Sequence, residues 1–118
     1  MILVDTSVWV DHFRAGNSKL ISFLHEGTVL VHPFVIGELA CGAIRNRDRI
    51  MRLLMALPGA RIADHDEVLS FVETRGLSGR GIGWIDVHLL ASALLSGAPL
   101  FTLDQRLQRV ATALRISA

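Results

Sequence analysis

Two short apolar runs in this chain each stop at an aspartate, and that pattern restricts the fold more than any other. Met1-Ile2-Leu3-Val4 ends at Asp5, and Leu100-Phe101-Thr102-Leu103 ends at Asp104. A strand with one wet face alternates apolar and polar side chains, whereas a strand covered on both faces loses the alternation. Runs this short and this apolar predict strands of a parallel sheet enclosed by helices. Residues 28–31, rich in β-branched side chains, read as a further strand.

Helices fill the intervals. Spacing and end signals predict helices over 7–13, from an Asn17-Ser18 cap to about residue 25, and from Pro33 to about residue 42. Further helices are expected over 46–57, ahead of Pro58-Gly59, and over 64–75, where Asp64 and Glu67 form a capping-box pattern. The last two run over 84–96, stopped by Gly97, and over 104–114. Residues 99–103 make the strand before Asp104, and 61–62 and 115–116 are candidate short edge strands. The segment 76–83 holds four glycines and reads as a flexible loop. No linker or repeat divides the 118 residues. The expectation is an α/β fold over 1–118, one domain built as a three-layer α/β/α sandwich around a short, mostly parallel sheet.

With 51% hydrophobic and 19% charged residues, the chain has ample material for a core. Its mean hydropathy of +0.44 exceeds what the core needs and suggests exposed apolar surface for a partner or a second copy. A net charge of +1 supplies no global field to attract polyanions, so such binding must be local. Cys41 is the sole cysteine, which excludes an intramolecular disulfide, suits a reducing compartment, and predicts a packed apolar thiol. The longest uncharged stretch, 87–103, is broken by Gly97 and Pro99 and is too short to span a bilayer. With no secretory leader pattern at Met1, the expected setting is the cytoplasm.

Four acids stand inside or at the end of apolar segments: Asp5, Glu38, Asp86 and Asp104. Asp5 and Asp104 follow strands, where open α/β sheets bind their ligands. Asp86 shares a helical face with Leu89, Leu90 and Ala93, and Glu38 with Phe34, Val35 and Cys41, so both are expected to point inward. For Asp5 and Asp104 taken singly, a helix N-cap is an equal explanation. Together, four buried carboxylates repel one another and call for a hard divalent cation, Mg²⁺ or Mn²⁺. Such a site suits metal-assisted hydrolysis of a phosphodiester. The hydroxyls of Ser7 and Thr102, each two residues from an aspartate, are placed to hold a carboxylate or a bound water.

The opening Ile-Leu-Val-Asp-Thr-Ser at 2–7, the Val-Ile-Gly-Glu-Leu at 35–39, and Asp86-x-x-Leu-Leu-Ala-Ser-Ala followed by Thr102-Leu-Asp104 resemble PIN-domain ribonucleases. Small size and the lack of further domains resemble, within them, the toxins of VapBC-type toxin–antitoxin pairs. The resemblance covers essentially the whole chain. It implies a Mg²⁺- or Mn²⁺-dependent endoribonuclease whose acidic cluster maps onto Asp5, Glu38, Asp86 and Asp104, with Ser7 and Thr102 as the accompanying hydroxyls. It also implies an RNA substrate, a homodimer, and inhibition by an antitoxin. One position departs from the pattern: relatives often carry another acid two residues after the last one, followed by Phe, and here Arg106 and Leu107 stand there. An arginine at that point is suited to a phosphate contact.

Other functions remain open to the same residues. A phosphoacceptor domain also gathers acids and Mg²⁺ at strand ends, but it wants adjacent acids after the first strand and a lysine after the last. Lys19 is the only lysine, in an early helix. Phosphatases with an Asp-x-Asp pair would need an acid where Ser7 stands. A catalytically silent interaction module is the third alternative. Arg45, Arg49 and Arg52 form a helical stripe suited to an RNA backbone or simply to solvent, with Arg47 in the same stretch, and Arg80 lies in the glycine-rich loop. His12, His25, His32 and His88 lack metal-ligand spacing, and Asp64-His65-Asp66 reads as a helix cap. Trp9, Phe13, Phe23, Met51, Leu54 and Met55 are core candidates and, where exposed, candidates for a dimer or antitoxin groove.

Overall fold

The chain begins with its central strand. The computed structural model describes all of residues 1–118, in the order β1 (Ile2–Val4), α1 (Thr6–Ala15), α2 (Ser18–His25), β2 (Val29–Leu30), α3 (Pro33–Ala40), α4 (Arg47–Ala56), α5 (His65–Arg75), α6 (Trp84–Ser96), β3 (Leu100–Phe101) and α7 (Gln105–Ala113). The sheet order is β2-β1-β3, and both pairings are parallel. Leu3 pairs with Leu30 on one side and Leu100 on the other, and all three are buried. Two-sided burial is why these runs show no alternation. The α/β expectation holds, with every strand pairing parallel.

The sheet margins differ from the sequence reading. The strand expected over 99–103 is ladder-paired only at Leu100–Phe101. The expected edge strands at 61–62 and 115–116 are instead single parallel bridges, Val31 to Gly59 and Leu100 to Ser117. A one-residue bridge imposes no side-chain period, so nothing in the sequence could have registered it.

Helix α6 lies against β1 and β3 and carries an unbroken buried segment from Val87 to Ala93. A helix buried on all sides has no polar stripe, which accounts for the apolar stretch seen in the sequence. It stops at Gly97, whose φ of +60° is the left-handed turn that favours glycine. Helix α5 packs on α6 and starts with the expected capping box, in which Asp64 and Glu67 each accept the other's backbone N–H. Helix α3 packs against α1 and α4. One cluster of 25 buried apolar residues joins all these elements. No helix is long and apolar enough to cross a membrane.

The connection from β1 to β2 leaves one side of the central strand, and the return to β3 reaches its other side. The carboxyl ends of β1 and β3 therefore flank the switch point where open α/β sheets form a crevice. Asp5 and Asp104 follow those two ends.

Candidate active site

Asp5 takes the backbone position of an N-cap for α1, with φ −73° and ψ 156°, yet its side chain caps nothing. The carboxylate is buried and accepts two hydroxyl protons on the same oxygen, Oδ2, from Ser7 Oγ and Thr102 Oγ1, each at 2.7 Å. Ser7 Oγ in turn accepts the Leu103 N–H at 3.0 Å, and Thr102 Oγ1 accepts the Asp104 N–H at 3.0 Å. A hydroxyl has one proton. Both protons go to Asp5, so the 3.3 Å approach of Ser7 Oγ to Thr102 Oγ1 is a contact between acceptors. The two hydroxyls thereby lace the end of β1 to the end of β3. Oδ1 of Asp5 is left without a hydrogen bond.

Asp104 stands at the equivalent point after β3 and behaves differently. It is exposed, and its Oδ1 accepts the N–H groups of Arg106 and Leu107 at 2.9 and 3.0 Å, capping α7. Asp86 is half-buried and lies in the first turn of α6, where its Oδ2 accepts the Gly83 N–H at 3.1 Å. The expectation that Asp86 points inward is met only in part: the helix starts at Trp84 as its sequence predicts, and this places Asp86 in the first turn, where it caps rather than being enclosed.

Glu38 is exposed rather than inward-pointing. The buried stripe of α3 is Val35 and Leu39, one turn apart, and Glu38 lies beside it. The same geometry exposes Cys41, which was expected to pack. One Glu38 oxygen, Oε1, accepts the Thr6 Oγ1 proton at 2.6 Å. Thr6 was not singled out from sequence, although three consecutive oxygen-bearing side chains, Asp5-Thr6-Ser7, marked the segment. Of the four acids, then, only Asp5 is fully buried, and the rest rim an opening where water still reaches them.

The acids nevertheless sense one another. The Asp86 carboxyl is raised above the ordinary aspartate range, first by burial and then by the charges of Asp5, Asp104 and Glu38, against a smaller lowering by the Gly83 N–H. No cation offsets this charge, because the one ion pair in the molecule is Arg14–Asp11, at 3.3 Å. Nor do any three Asp, Glu, His or Cys side chains close into a ready-made metal cage. Magnesium does not need one: it keeps several waters and takes only one or two carboxylates. An open set of hard oxygen donors with uncompensated charge fits such an ion.

On the Glu38 side lies a cleft of about 440 Å³ walled by Val10, Phe13, Arg14, Glu38, Ile44 and Arg45, among others, and by none of the three aspartates. A narrower apolar cleft of about 260 Å³ continues past Trp9, Phe13, Leu24 and Leu54. Of the apolar side chains weighed from sequence, Trp9 and Leu54 are buried, Phe13, Phe23 and Met51 are half-buried, and Met55 is exposed. In the basic stretch, Arg47 donates to the Gly42 and Ala40 carbonyls and so closes the end of α3. His32, passed over for want of metal spacing, is fully buried at the N-cap of α3. Its Nδ1 accepts the Phe34 N–H at 2.9 Å, and burial together with the neighbouring His88 lowers its pKa to about 4. It is a structural group, apart from the acids.

The order of these residues along the chain is matched by a family model: the PIN domain model aligns with residues 2–113. This chain belongs to the PIN domain family. The PIN domain is 49% identical over 109 residues to "Ribonuclease VapC32" of Mycobacterium tuberculosis, in strain CDC 1551 / Oshkosh and in strain ATCC 25618 / H37Rv alike. Each alignment covers 92% of this chain and 88% of the relative. The crystal structure of PAE2754 from Pyrobaculum aerophilum matches 92% of this PIN domain and 77% of its own chain, with a TM-score of 0.61. At 18% identity that likeness speaks for the fold alone.

Proposed function

We propose that residues 1–118 form a single PIN domain acting as a metal-dependent endoribonuclease, the toxin of a toxin–antitoxin pair. The observation that carries the reading is the charge gathered at the strand ends: Asp86 is raised by burial and then by three other carboxylates, Asp5, Asp104 and Glu38, and no basic side chain is paired to any of the four. Kinship to a protein named a ribonuclease over 92% of the chain gives the reaction class.

In this reading Asp5, Asp86 and Asp104 hold Mg²⁺ or Mn²⁺. A divalent ion there supplies a water of lowered pKa and neutralises charge on the phosphodiester. Ser7 and Thr102 fix Asp5 through one oxygen and leave the other for the ion. Glu38, anchored through Oε1 by Thr6, keeps its second oxygen to bind through water or to orient the attacking one. An RNA substrate, a cytoplasmic setting and a homodimer belong to the same reading. The antitoxin partner is supported by the apolar clefts that run from Glu38 to Leu54.

The test is cleavage of total cellular RNA by the purified protein with Mg²⁺, with Mn²⁺ and with EDTA, beside Asp5→Asn. Discrete fragments that need metal and vanish in the variant are expected. Fragments persisting in Asp5→Asn at the wild-type rate would overturn the site assignment. A folded wild-type protein that cuts nothing would favour the silent interaction module.

A further inference from the structure

Arg106 occupies the point where the sequence departs from its relatives' acidic pattern, and its surroundings are specific. It lies in the first turn of α7, two residues beyond Asp104. Its side chain runs across Gly81 of the glycine-rich loop that leads into α6 and Asp86. A Cβ added at Gly81 would fall 3.0 Å from Arg106 Cδ, 3.5 Å from Nε and 3.6 Å from Nη1. Gly81 has φ +79°, a conformation that side chains rarely adopt, so loop shape and close approach both call for glycine here. The arginine stem thus lies directly over the bare Cα of Gly81.

The guanidinium, so held, has no partner in the protein. Arg106 is exposed, forms no ion pair, and makes no side-chain hydrogen bond. Yet it stands beside the most acidic part of the molecule. Arg106 is paired with none of the four acids. A cationic fork laid over Gly81 at the edge of an acidic site, with no donor engaged within the protein, is complementary to a phosphate.

Resting on the ribonuclease reading, we propose that Arg106 is a substrate-positioning residue. It binds a phosphate of single-stranded RNA next to the scissile one, with Gly81 setting the direction of its side chain. Because that contact is the same before and during bond cleavage, it lowers KM and leaves kcat nearly unchanged. Arg80 serves as the comparison: it neighbours Gly81 in the same loop and is exposed, but nothing shows it anchored.

The experiment is steady-state cleavage of a single-stranded oligoribonucleotide in Mg²⁺ across a salt series. The proteins are wild type, Asp5→Asn, Arg106→Gln, Arg106→Lys, Gly81→Ala and Arg80→Gln, each checked by thermal unfolding. Arg106→Gln is expected to raise KM about tenfold, the scale of one charge-assisted hydrogen bond, with kcat within about twofold. The slope of log(1/KM) against log salt should flatten by about 0.7, one phosphate contact on a single strand. Arg106→Lys recovers the slope but only part of the KM, since it restores charge without the fork. Gly81→Ala keeps every charge but strains the loop that leads to Asp86 as well as crowding the arginine, so it raises KM and lowers kcat together, and Arg80→Gln changes KM less than Arg106→Gln does.

An Arg106→Gln protein that is folded, with wild-type KM and salt slope, overturns this proposal alone, whatever the substitution does to a protein partner. Wild-type protein that cuts no RNA, or an undiminished Asp5→Asn, overturns the ribonuclease reading and this inference with it.

Discussion

Asp5 and Asp104 occupy matching places and do different work. Each follows an apolar strand, each opens a helix, and the strands are neighbours in one parallel sheet. Asp104 remains exposed and caps its helix through two backbone N–H groups. Asp5 leaves α1 without a side-chain cap and is drawn inward by Ser7 and Thr102. A missing cap costs a helix about 1 kcal/mol, and burying a carboxylate away from any cation costs more. A strand end that forgoes its cap to hold a charge in place is shaped by something other than stability, whereas Asp104 can serve a helix and a ligand together. The two ends are also physically one unit, since Thr102 binds Asp5 and positions the Asp104 N–H.

Asp5→Asn tests the first half of that contrast and carries the largest expected effect. The amide oxygen still accepts both hydroxyl protons, so the fold should keep its melting temperature or gain slightly from the lost charge. Cleavage should fall by at least about 100-fold. A large loss of stability with modest loss of cleavage would make Asp5 a structural group like any other. Next in size is Thr102→Val, which removes one of the two hydroxyl donors to buried Asp5 and leaves the Asp104 N–H without its acceptor. It should cost about 2 kcal/mol in urea unfolding and, by loosening Asp5, reduce cleavage roughly tenfold or more. If only stability moves, the hydroxyl bridge does not serve the site.

Asp104 needs a pair of substitutions, because it has two roles. Asp104→Ala removes cap and charge and should lose about 1 kcal/mol, while Asp104→Ser keeps a capping oxygen and should lose only a few tenths. Both should impair metal-dependent cleavage to a similar extent. If Asp104→Ser cleaves like the wild type, Asp104 is a cap and nothing more, and the contrast with Asp5 becomes absolute.

How much of this was legible beforehand follows the same physics. Two-sided burial erases alternation, so β1 and β3 announced themselves, and with them the parallel sheet and the place of Asp5 and Asp104. Ser7 and Thr102 were findable because they sit two residues from those aspartates. That Glu38 and Asp86 stand at the rim rather than inside was not findable. Helical periodicity grouped Glu38 with Val35, but α3 has only eight residues and its stripe passes from Val35 to Leu39, leaving Glu38 at the rim. For Asp86 the helix start at Trp84 was legible, but the apolar face it shares with Leu89 and Leu90 hid that a first-turn carboxylate reaches back to the Gly83 N–H. Arg106 shows the opposite limit, since its identity was plain in the sequence while its seat on Gly81 depends on a loop conformation that no spacing encodes.

The smallest expected effect bears on whether these ends communicate at all. The Asp86 carboxyl is raised chiefly by burial, with Asp5, Asp104 and Glu38 adding their charges in that order. A carboxyl that binds its proton more tightly folded than unfolded stabilises the fold at low pH. That contribution is lost as pH rises through the raised value. Cation binding runs the other way, because the ligand must be deprotonated: affinity for Mn²⁺ should weaken as pH falls toward the raised Asp86 value. Glu38→Gln removes the weakest of the three repelling charges, so the Asp86 midpoint, followed by carboxyl NMR without metal, should move down. Asp104→Ser should move it further, Asp104 being the stronger neighbour. If neither substitution shifts the midpoint, burial alone perturbs Asp86. The strand ends would then be two separate sites rather than one field of charge, and the case for a shared cation would fall with it.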